Sequence, residues 1–86
     1  MSYVIMTTFE DIETLEKFVS WIDCFCGGSQ PGRTCRVERA AVFMSLSLAE
    51  NHIEKLRKKY SDRTFEIQDA PENSEGMVIG ENYWIV

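Results

Sequence analysis

The residues best able to hold a metal or attack a substrate are Cys24, Cys26, Cys35 and the single histidine, His52. Thiolates and an imidazole are the donors of a tetrahedral zinc site. Their spacing speaks against one: Cys24 and Cys26 form a C-x-C pair rather than a C-x2-4-C knuckle, and no second pair follows. An odd number of cysteines cannot pair completely within one chain, so reduced thiols are expected, with no metal and no cofactor. Cys26 precedes Gly27-Gly28, where a helix C-terminus would disfavour its thiolate. His52 has no serine or aspartate relay around it in sequence and is expected to be an ordinary surface side chain. The carboxylate pairs Asp11/Glu13 and Asp69/Glu72 lie in charged stretches that would leave them solvated. No acid, base or nucleophile constellation emerges, so the sequence predicts a protein that is not an enzyme.

Gly27-Gly28-Ser29-Gln30-Pro31-Gly32-Arg33-Thr34 is spaced like a phosphate-binding G-x-x-x-x-G-K-[ST] loop, with Arg33 in place of lysine. That chemistry needs a strand before the loop and a helix after it, so that backbone N–H groups and the helix N-terminus meet the phosphates. The expected order here is the reverse, and a guanidinium replaces the compact ammonium poorly. Gly27 to Thr34 is therefore expected to be a connecting loop.

Charge is the more informative feature. Net charge is −5 and the signs separate into blocks. Residues 1–30 hold five acids against Lys17 alone, and residues 64–86 hold five acids and no base. Between them lie eight bases: Arg33, Arg36, Arg39, Lys55, Arg57, Lys58, Lys59 and Arg63. Arg33, Arg36, Arg39, Arg57, Lys58, Lys59 and Arg63 could neutralise a nucleic-acid backbone, while sheet aromatics stack on unpaired bases. Against this, the overall charge is negative, and bases at a helix C-terminus are favoured by the helix dipole whatever the function.

These residues must be positioned by the elements around them. Ser2 to Thr8 reads as a strand. Ile12, Leu15, Val19 and Ile22 recur at helical spacing, predicting a helix that ends near Cys26. Arg36 to Leu46 reads as a central strand, apolar on both faces through Ala40, Ala41, Val42, Phe43 and Met44. Ser47 with Glu50 matches a capping box opening a second helix, whose inner side is Leu48, Ile53, Leu56 and Tyr60 and whose outer face is Glu54, Lys55 and Lys58. Thr64 to Asp69 is a strand and Ala70 to Gly76 a polar loop. Two apolar runs, 77–79 and 83–86, flank Gly80-Glu81-Asn82 as a hairpin or one bulged strand.

The predicted order β-α-β-α-β-β makes an α+β two-layer sandwich: a mixed or antiparallel sheet of four to five strands with two helices on one face. With 86 residues, 44% hydrophobic, one small domain covering 1–86 is expected. The longest apolar run, Ala40 to Met44, is far too short for a membrane span, and the start lacks the basic region of a signal peptide. A cytoplasmic protein without a membrane partner is the expectation. Helices on one side would leave apolar residues on the other, predicting a partner surface that includes Tyr3, Phe43, Tyr83 and Trp84. The sequence thus favours a non-catalytic protein-binding module, a small inhibitor or adaptor, with room for a homodimer. An RNA or single-stranded nucleic-acid binder using the basic middle segment is the alternative.

Overall fold

The computed structural model describes residues 2–10, 17–24, 32–61 and 63–80. They form an α+β domain, a curled mixed sheet with one α-helix among the described residues. The sheet grows from β1 (Tyr3–Glu10), which is flanked on both edges. On one side it pairs antiparallel with β2 (Lys17–Cys24), from Met6↔Trp21 to Glu10↔Lys17. On the other it pairs with β5 (Thr64–Asp69), from Tyr3↔Asp69 to Thr8↔Thr64. β3 (Gly32–Thr34) extends the sheet beyond β2, and β4 (Val42–Phe43) joins the start of β1 through Tyr3↔Phe43. β6 (Val78–Ile79) runs parallel to β4, which makes the sheet mixed.

The expected first helix is corrected: Lys17–Cys24 is a strand. Its sequence, KFVSWIDC, is dense in β-branched and aromatic residues, which suit a pleated surface better than a helix. A period of two fits it as well as the helical one. Ser20 and Ile22 are buried on the helix side, while Trp21 between them packs against the opposite cluster. The pairing with β1 satisfies its backbone and decides between the two periods. Ile12, Leu15, Cys26 and the loop residues Gly27 to Pro31 lie outside the described residues. Gly32–Thr34, expected in that loop, is strand β3.

The strand expected from Arg36 to Leu46 is also corrected. A 3-10 turn occupies Val37–Arg39, closed by Arg39 N–H to Arg36 O (3.0 Å) and Ala40 N–H to Val37 O (3.1 Å). Only Val42–Phe43 remains strand, in the central position expected of it. The apolar run from Ala40 to Phe43 is buried throughout because it feeds two cores. Ala41 and Phe43 join Ile5, Ile22, Ile53, Leu56, Phe65 and Ile79 beneath the helix. Ala40 and Val42 join Val4 on the other face, with Trp21, Val37 and Ala70 packed over them. The face expected to lie open is thus closed at Val4 by the chain itself.

Helix α1 (Leu46–Lys59) lies across the sheet and buries Ala49, His52, Ile53 and Leu56. Its N-cap is Ser45, whose Oγ accepts from Leu48 N–H at 3.2 Å, so the helix opens ahead of the Ser47/Glu50 box. Tyr60 closes it, donating its N–H to Leu56 O at 2.7 Å. Glu54, Lys55 and Lys58 are exposed as expected. β5 alternates as read, with Phe65 buried and Thr64, Glu66 and Gln68 exposed. No helix among the described residues is long and apolar enough to cross a membrane.

Candidate functional site

The seven basic residues singled out by sequence do not share one surface. Arg36 and Arg39 flank the 3-10 turn, whose Val37 covers the face around Val4. Arg36 Nε pairs with Glu38 Oε1 at 3.1 Å at the surface, a contact worth little in water. Lys58 and Lys59 are exposed at the end of α1, where the helix dipole favours them.

Arg63 lies within electrostatic range of Arg33 and shares a recess with Arg57. Arg33 pairs across β2 and β3 with Ile22, which is buried in the helix-side core, so Arg33 shares that concave face. Arg63 lies in the bend just before β5. The curl of the sheet brings the two guanidinium groups within electrostatic range. Burial, and then the charge of Arg63, hold the Arg33 pKa below its ordinary value. Arg63 Cζ lies 5.6 Å from the centre of the buried Tyr60 ring, and Lys59 Nζ approaches the same ring at 5.6 Å. Arg57 and Arg63 then line a recess with Ser61, Thr64, Phe65 and the carboxylate of Glu66.

Of the aromatic residues expected at a partner surface, Phe43 is wholly buried and Tyr3 packs half-buried against the main core. Tyr83 and Trp84 lie outside the described residues. The large apolar side chains exposed among the described residues are Met44, Leu46, Met77 and Val78, at 53%, 46%, 47% and 59%. Met44 and Val78 line an open groove with Val42, Ala70 and Pro71, and Asp69 and Glu72 supply its charge. Sequence reasoning passed over these side chains because it assigned the same runs to strands. The signal was present in the alternation of exposed Val78 with buried Ile79, and in Met44 and Leu46 straddling the helix cap.

His52 is not the surface side chain expected. It is buried, its ring edge-on to Phe43 with centroids 4.8 Å apart, and its Nδ1–H donates to Leu48 O at 3.0 Å. Burial first, then Lys55, lowers its pKa to about 4, so it is neutral at physiological pH. Cys35 is an exposed free thiol, and no group of three His, Cys, Asp or Glu among the described residues is placed to hold a metal ion. Comparison with protein families, with curated proteins and with solved structures finds no match to this chain.

Proposed function

We propose that this chain is a non-catalytic protein-binding module that engages its partner through the open groove lined by Met44 and Val78. The observation that carries the reading is the exposure of two large apolar side chains, Met44 and Val78, at 53% and 59%, on one open groove with Val42, Ala70 and Pro71. Methionine adapts its shape to a partner at small cost, and covering the exposed half of each such side chain contributes roughly 1 kcal/mol. Asp69 and Glu72 at the groove favour a partner segment that carries basic residues beside its apolar anchors.

The test is a nuclease-treated pull-down with three forms of the protein. A protein retained by the wild type and by R57Q/K58Q/K59Q, but lost by M44E/V78K, supports the groove as the contact surface. Equal retention by M44E/V78K removes the groove from the interaction.

A further inference from the structure

One edge of the sheet is β5, whose outer side pairs with no strand among the described residues. One hydrogen bond fixes where its backbone groups point: Ala70 N–H donates to Ser2 O at 2.9 Å, one rung beyond Tyr3↔Asp69. Along an antiparallel strand, successive residues turn their N–H and C=O alternately to one side and the other. Thr64, Glu66 and Gln68 therefore bond to β1, while Phe65, Ile67 and Asp69 turn their backbone groups outward. An open edge of this kind is a template for a further strand. It is a different surface from the groove of Met44 and Val78, to whose lining β5 supplies Asp69 alone.

The side chains at this edge are self-complementary. Phe65 and Ile67 lie on the helix side, and Thr64, Glu66 and Gln68 are exposed on the opposite face. A second β5 laid antiparallel about a two-fold axis at Ile67 sets Ile67 against its own copy. Phe65 then meets Asp69 of the partner subunit, and Glu66 meets Gln68 of the partner subunit. Phe65, Ile67 and Asp69 all gain backbone partners, and no like charges stand directly opposite. An axis at Glu66 would set that carboxylate against itself, and an axis at Gln68 would leave Phe65 without a rung. Above the edge, Glu50, Glu54 and Arg57 of α1 line an open groove with Ile53, Phe65 and Ile67. Arg57 also borders Thr64 and Phe65 at the start of β5, so Glu50 lies towards the other end of the strand. The same axis brings the Arg57 end of one groove beside the Glu50 end of the other, opposite charges together.

We propose that β5 is a dimer seam, at which a second copy of this chain adds its own β5 antiparallel with Ile67 on the two-fold axis. The two sheets become one, with both α1 helices on the same face. Pairing covers the outward N–H and C=O groups of the edge, and a domain this small gains buried surface that its own core supplies sparingly. The groove of Met44 and Val78 stays open for a different partner.

The experiment is sedimentation equilibrium of the full chain from about 10 μM to about 1 mM, with amide hydrogen exchange at both ends of that range. The wild type is expected to dimerise, and the amides of Phe65, Ile67 and Asp69 to gain protection with concentration while those of Glu66 and Gln68, already bonded to β1, do not. Gln68 is exposed, so its substitutions leave the core intact. Gln68→Lys faces Glu66 of the partner subunit twice by symmetry and should tighten the dimer about threefold or more, and Gln68→Glu should weaken it by a similar factor. Glu66→Lys combined with Gln68→Glu reverses the pair and should restore the dimer. Lys58→Gln changes the net charge as Gln68→Glu does, but on the outer helix face, and should dimerise as the wild type does. A monomer at every concentration overturns the seam. So does a dimer that is indifferent to the Gln68 changes, or one that is lost in M44E/V78K and so belongs to the groove. Protection of Phe65, Ile67 and Asp69 that arises only on adding a protein recovered in the pull-down assigns the edge to a foreign strand and likewise overturns self-pairing.

Discussion

The imidazole of His52 stands edge-on to the ring of Phe43, with centroids 4.8 Å apart and planes at 69°. Helix α1 meets the central strand through this contact, with one of the few buried polar side chains of the described residues at its centre. The neutral imidazole fits there because Nδ1–H has an acceptor in Leu48 O, while its protonated form would bring an unscreened charge against an aromatic core.

Stability should therefore fall with acid in a particular window. An unfolded histidine titrates near 6.5, whereas His52 in the fold titrates at about 4. The unfolded state binds the extra proton between those values, so the contribution is complete above 6.5 and is lost as the pH falls towards 4. It amounts to roughly 3 kcal/mol at most. Urea unfolding at pH 7.5 and at pH 4.5 measures it, and His52→Leu should show a smaller difference between the two. Equal pH dependence in wild type and variant would place the acid sensitivity elsewhere.

Ser45 rather than Ser47 should carry the helix cap. Ser45→Ala removes the acceptor for Leu48 N–H and is expected to cost about 1 kcal/mol, while Ser47→Ala, exposed within the first turn, should change stability by no more than about 0.5 kcal/mol. Denaturation midpoints of the two variants test the assignment directly.

Gly76 should tolerate no side chain. The loop before β6 is tied down by Glu75 N–H to Glu38 O at 2.6 Å, and a Cβ at Gly76 would run into the carbonyl groups of Ala40 and Arg39. Those atoms belong to backbone held by the 3-10 turn and cannot move aside cheaply. Gly76→Ala is expected to destabilise by more than about 2 kcal/mol, read as a lowered urea midpoint, and to loosen β6 from β4 in amide exchange.

Met44→Glu and Val78→Lys should leave stability within about 0.5 kcal/mol of wild type, because both side chains are already half or more exposed. Phe43→Leu, in contrast, should destabilise the fold through the core beneath α1. Thermal unfolding of the three variants separates a surface made for a partner from aromatic residues that serve the core.

The sequence alone determined the elements whose signals are local. In α1, Ile53, Leu56 and Tyr60 form one apolar side beside an exposed Glu54, Lys55 and Lys58. In β1 and β5 the alternation and the β-branched content were sufficient, and Pro71 and Gly76 marked the loop that follows. The tertiary structure decided the rest, because strand pairing joins residues far apart in the chain. Val19 and Ile22 suit a helix or a strand equally, and the open edge of β1 selected the strand. Pairing of β3 with β2 set Arg33 opposite the buried Ile22, while Arg36 and Arg39 were left on a turn whose Val37 covers the other face. Likewise Phe43 and Met44 are neighbours of similar hydrophobicity, and only the position of β4 between β1 and β6 buried one and exposed the other. A one-dimensional pattern assigns each residue a side of its own element; which side faces the core is set by the partners that the fold supplies.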